Sequence, residues 1–206
     1  MKYIAFISFF LSSLVSFSQN TTELLTRQIV KLEKTTTEKA WLELAKQFEK
    51  IAKDAPKDWY AQYYTSYAYI ALANASEKDK DAWCDKAETY LNNAFAIEKA
   101  SSENYVLKAY LLSARIQVNP MMRGASMGKA SKKQLDLAQK ANPDNPRYYY
   151  VRGMGIYNTP AIFGGGKKKA KPYLEKALVK YKEYKASSAL SPDWGKTETK
   201  KLLSTY

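Results

Sequence analysis

The stretch PDNPRYYYVRGMGIYNTPAIFGGGKKKAKPYLEKALVKYK, Pro143 to Lys182, decides the fold. In its second half, Ala170, Leu174 and Ala177 follow one another at offsets of four and seven, which sets all three on one face of a helix. In its first half, Tyr149 precedes Gly153 by one helical turn, an aromatic knob beside a hole. Asn142-Pro143 ends the preceding helix, Pro146 suits a first helical position, and Asn158-Thr159-Pro160 ends the helix that follows. The unit is a helix, a turn and a second helix.

Similar units precede it. The triplet recurs as Ser131, Leu135, Ala138, as Ala87, Leu91, Ala94, and in weaker form as Leu44, Phe48, Ile51. The aromatic–small pair recurs as Tyr105 with Ala109 and Tyr64 with Ala68. Two helices of this kind cannot bury their apolar faces alone, whereas stacked pairs can. The expected fold is all-α, an α-solenoid of stacked antiparallel helix pairs with a short C-terminal capping helix opened by Ser191-Pro192-Asp193. Period-two alternation is absent, so no sheet is expected.

The pattern resembles the tetratricopeptide repeat, with its aromatic, small residue, then Ala, large residue, Ala and a closing proline, here Pro56 and Pro143. Lys99 and Lys182 stand where two further prolines belong. The intervals Ala68–Ala87, Ala109–Ser131 and Gly153–Ala170 exceed the family's usual one of about twelve residues. The surplus is expected to bulge out as loops, the helix after Asn119-Pro120 beginning only near Lys129.

The resemblance implies a concave inner face lined from the first helix of each pair. Carried over residue by residue, the lining includes Tyr69, Tyr110, Tyr150 and Tyr157, with Arg147 near the edge. Lysine and asparagine, which in some members grip a peptide's terminal carboxylate, are missing at those positions. Such a groove would suit an extended peptide or a partner helix. The other reading is that these tyrosines pack against neighbouring helices.

Residues 1–18 read as a secretory signal peptide: Lys2, an apolar run from Tyr3 to Phe17, and small residues before Gln19. No lipobox cysteine follows. The expectation is an exported chain, periplasmic or extracellular after cleavage, with residues 19–206 as a single helical domain. The one cysteine, Cys84, has no internal disulfide partner and falls on an inward face.

The chain has no histidine, which removes the usual general base and the commonest zinc ligand. Glu43, Glu49, Glu175 and Glu183 alternate with lysines at the spacing of solvated helix pairs. Gly124 to Lys129 has three residues between its glycines where a P-loop has four, and Gly164-Gly165-Gly166-Lys167 fits no better. No enzyme activity, cofactor or metal is expected.

Two stretches resemble each other: Asn119-Pro120 followed by Met121, Met122, Arg123, Gly124, and Asn158-Thr159-Pro160 followed by Ala161, Ile162, Phe163, Gly164. Either their apolar residues fold back to plug gaps, or they form a paired binding edge in which Arg123 and Phe163 meet a ligand. The formal charge is +13. Lys129, Lys132, Lys133 and Lys167, Lys168, Lys169, Lys171 begin equivalent helices and would draw an acidic partner or an anionic envelope surface. Export argues against nucleic acid. The functional expectation is a non-catalytic protein-interaction scaffold using the inner face or the extended loops. The alternative is a structural envelope protein held by its lysine face.

Overall fold

The computed structural model describes residues 20–206. The expected leader, residues 1–18, lies outside the described residues. Among the described residues the backbone is helical or irregular, without strands. Nine helices follow in order: α1 (residues 20–29), then α2 (Glu38–Asp54), α3 (Trp59–Ala75), α4 (Lys80–Ile97), α5 (Ser102–Ile116), α6 (Pro120–Ala141), α7 (Pro146–Asn158), α8 (Lys167–Glu183) and α9 (Lys196–Leu203). None is long and apolar enough to cross a membrane.

Side chains fix where several helices begin. Thr37, Asp58, Asn119 and Asn145 each accept a hydrogen bond from a backbone N–H in the first turn of the helix that follows. Asn119 corrects one expectation. Pro120 has no N–H to lose at a first helical position, so α6 starts there, roughly two turns before Lys129. The surplus length between Ala109 and Ser131 is therefore helix, and the link from α5 to α6 is short.

The triplets form the interior. Leu44, Phe48, Ile51, then Ala87, Leu91, Ala94, then Ser131, Leu135, Ala138, then Ala170, Leu174, Ala177 are all buried. At Gly153 the helices come so close that a Cβ would lie 2.7 Å from Leu174 Cδ2. The helices pair as α3 with α4, α5 with α6 and α7 with α8, and the pairs lie side by side.

Polar contacts define two ends of this stack. At one end, Gln117 beyond α5 donates to Asn74 of α3 at 2.9 Å, and Arg123 of α6 clasps Asp81 of α4. At the other, Ser102 of α5 donates to the Ala138 carbonyl of α6 at 2.9 Å, and Asn145 before α7 donates to Ser102 at 3.1 Å. The C-terminus of α7 and the N-terminus of α8 thus face the first end, the one at which α6 starts.

The chain then returns across the stack. Between α8 and α9, an irregular strap carries Leu190 and Trp194 against the first helices of the pairs. Tyr64 donates to the Leu190 carbonyl at 2.9 Å, and Tyr181 donates to the Trp194 carbonyl at 2.7 Å. Ser191-Pro192-Asp193 does not open the last helix, which starts after Gly195 at φ +95°. A Cβ at Gly195 would lie 2.4 Å from the Tyr181 hydroxyl, so the turn into α9 requires glycine.

Candidate functional site

The inner face is filled by the chain itself. The Trp194 indole, 6 % exposed, stacks on Tyr67 and Tyr110 with centroids 4.8 and 5.5 Å away, and meets Tyr150 edge-on at 6.1 Å. Its N–H donates to the Tyr63 hydroxyl at 2.9 Å, and Tyr63 donates in turn to Glu103. Burial pushes the Tyr110 hydroxyl up to about 12, so these phenols are neutral donors and acceptors of a packed interior. An open peptide groove is thereby corrected: Tyr67, Tyr110 and Tyr150 have an intramolecular occupant in Trp194.

The other expected site residues are distributed as follows. Tyr69 is buried away from the strap, stacked on Trp83 and Tyr90 and donating to Glu49. Arg147 is buried too. It donates twice to Glu103, at 2.8 and 2.6 Å, and lies 4.7 Å from the Tyr184 ring centre. Arg123 is bidentate on Asp81, at 2.6 and 2.8 Å. Tyr110 and Tyr150 are brought together on Trp194, while Tyr157 and Phe163 belong to the open end of α7 and α8.

That end has a different character. Ile162 and Phe163 sit on a single 3-10 turn, 86 % and 75 % exposed, and Met121 and Met122 in the first turn of α6 are 94 % and 80 % exposed. These residues do not fold back to plug gaps, and glycine shapes the turn that carries Ile162 and Phe163. Gly164 and Gly166 take φ values of +86° and +101°, and their amides donate to the carbonyls of Ala161 and Ile156. A Cβ at Gly165 would lie 2.1 Å from the Thr159 carbonyl oxygen. Glycine is required to hold an apolar tip in water.

α6 and α7 both extend between their connection and this end. Near their connection they touch: Tyr148 donates to Gln139 at 2.9 Å and Arg152 reaches Asp136 at 3.3 Å. On α7, Tyr148, Arg152 and Gly155 share one face at offsets of four and seven. On α6, Met121, Gly128 and Gln139 fall nearly in line, being whole numbers of turns apart. A Cβ built at Gly124, Gly128 or Gly155 would meet no neighbouring atom within 4 Å. Each glycine costs a helix roughly 1 kcal/mol against alanine, and here no packing contact requires one.

Cations crowd the same end. Lys167, Lys168 and Lys169 occupy the first turn of α8, which has no acidic residue, although the helix dipole disfavours positive charge there. Lys167 donates to the Thr205 carbonyl at 2.9 Å and lies 5.6 Å from the Tyr157 ring centre. The Tyr157 hydroxyl is held below its ordinary range by its bond with Thr205, with Lys167 adding to the effect. Cys84 lies apart and buried, with its thiol pushed up to about 11 by desolvation.

An apolar tip, bare helix faces and a cationic rim thus occupy one end of the molecule. A search of solved structures finds the same fold in the HusA haemophore from Porphyromonas gingivalis, 36% identical to this chain, with a TM-score of 0.80 over 89% of this chain and 91% of that one. The chain belongs to the HusA haemophore family. No family model and no curated protein matches it. Membership in the HusA family corrects the tetratricopeptide resemblance. The alanine–leucine–alanine triplets record how closely stacked helix pairs approach, a requirement that any such stack meets. Two features of this HusA-family chain had little signal in its sequence. Trp194 sits among turn formers, and Gly128 and Gly155 differ from packing glycines only in what faces them.

Proposed function

We propose that this chain is an exported, non-catalytic haem carrier that seats the porphyrin against the open ends of α6, α7 and α8. The HusA relative is a haemophore, and the ligand chemistry fits this end. Haem offers a flat apolar macrocycle and two carboxylates. Met121, Met122, Ile162 and Phe163 supply apolar contact, Gly128 and Gly155 leave bare backbone for a flat ring to approach, and Lys167 to Lys169 suit the carboxylates.

The observation that carries the reading is the glycine-held tip. Ile162 and Phe163 stand in water on a turn whose positive φ values suit glycine alone, and an exposed apolar tip held in that way marks a binding surface. Haem is cargo here, and its iron would find no histidine. The soft or anionic donors at this end are the Met121 and Met122 thioethers and the Tyr157 phenol. Export rests on residues 1–18, and no described helix is long and apolar enough to cross a membrane.

Titration of residues 19–206 with haemin, followed by the Soret band, tests this. The wild-type protein binds stoichiometrically, and Ile162→Ser with Phe163→Ser weakens binding at least about tenfold while the melting temperature stays the same. Equal affinity of the two proteins would overturn the site.

A further inference from the structure

Two of the three most exposed large apolar side chains of the described protein are adjacent methionines, Met121 and Met122. We propose that they are an oxidation site at which hydrogen peroxide switches porphyrin binding off, an inference that rests on the haem reading above.

Thioether oxidation follows access. Met127 and Met154 are partly buried, and Met154 packs against the core, whereas Met121 and Met122 are open to solvent. In the step, the sulfur lone pair attacks one peroxide oxygen, the O–O bond breaks, and the departing hydroxide takes the remaining proton to leave as water. Sulfur is oxidised by two electrons to the sulfoxide, and peroxide is reduced by two. Iron porphyrins promote formation of peroxide from dioxygen, so a haem carrier meets this oxidant.

Location decides the consequence. The backbone N–H of Met122 is already bonded to the Asn119 side chain at 3.1 Å, and neither methionine side chain contributes to the core. Oxidation therefore leaves the fold intact. It places a strongly polar S=O group where the macrocycle needs apolar contact, and an unpaired polar group in such a contact weakens binding by about tenfold or more. Sulfoxide is reducible, so the change is reversible.

The test treats residues 19–206 with graded hydrogen peroxide, maps sulfoxides by peptide mass spectrometry, and titrates each sample with protoporphyrin IX. Met121 and Met122 oxidise first, affinity falls about tenfold or more, the melting temperature holds, and methionine sulfoxide reductases restore binding. Met121→Leu with Met122→Leu, whatever its own starting affinity, keeps that affinity through the same treatment. Prior oxidation of Met127 or Met154, or unchanged affinity once both sulfoxides are present, overturns the switch alone. Failure of the unoxidised protein to bind any porphyrin overturns the switch together with the haem reading.

Discussion

The indole of Trp194 lies on the ring of Tyr67, centroids 4.8 Å apart and planes within 30°, so the strap before α9 is part of the core of the stack. The face that a peptide-binding repeat protein keeps open is here occupied from within.

Trp194→Ala should therefore be severe. It empties the contacts with Tyr67, Tyr110 and Tyr150 and strips Tyr63 of its donor, a loss of about 3–5 kcal/mol. Thermal unfolding followed by circular dichroism reads this as a large drop in midpoint. An unchanged midpoint would mean that the strap only rests on the surface.

The glycines separate into two classes with opposite outcomes. Gly153→Ala drives a Cβ into Leu174 and lowers stability by about 1–3 kcal/mol. Gly128→Ala and Gly155→Ala enter open space and raise stability by roughly 0.5–1 kcal/mol each. Larger side chains there, as in Gly128→Leu, should stand where the porphyrin sits and weaken its binding. Melting curves paired with porphyrin titrations check both halves of this claim.

Glu49 gives the stack an acid limit. Burial alone would raise its carboxyl, but hydrogen bonds from Tyr69, Lys53, Tyr90 and Lys86 outweigh that and hold it at about 2. The folded value lies below the unfolded one, so the unfolded chain binds more protons in between. This stabilisation is complete above the ordinary carboxylate range and is lost as pH falls from about 4.5 toward about 2. Melting temperature against pH should fall through that window in the wild type and fall less in Glu49→Gln.

Arg147 and Glu103 form a buried pair whose halves are not independent. Glu103→Gln leaves the guanidinium buried without its counter-charge and costs about 3–5 kcal/mol. Replacing both residues by methionine should recover much of that loss, as chemical denaturation of the single and double variants will show.

The repeat was legible because close helix approach demands small residues at fixed offsets, and Ala87, Leu91, Ala94 and their counterparts lie where that demand puts them. The tetratricopeptide label was wrong, since the same demand acts on other stacks of helix pairs and the chain matches a haemophore instead. Asn119-Pro120 is ambiguous in sequence: proline disfavours helix before it and favours helix after it. Only the Asn119 cap on Met122 resolves the ambiguity. The candidate site was half legible. The paired apolar tips stood out, but the outward turn of Ile162 and Phe163 depends on the positive φ of Gly164 and Gly166, and that of Met121 and Met122 on where α6 starts. Arg147 looked like a groove-edge cation because a single sequence does not reveal that Glu103 sits opposite it.

The central claim is that porphyrin occupies the open ends of α6, α7 and α8 and leaves the tyrosine-lined interior to Trp194. Backbone amide chemical shifts of residues 19–206, recorded while metal-free protoporphyrin IX is added, test it most directly. The account predicts shifts concentrated in residues 120–129 and 155–169, with the Trp194 indole N–H resonance unmoved. Shifts centred on Trp194, Tyr67 and Tyr110, with the glycine-held tip silent, would contradict it.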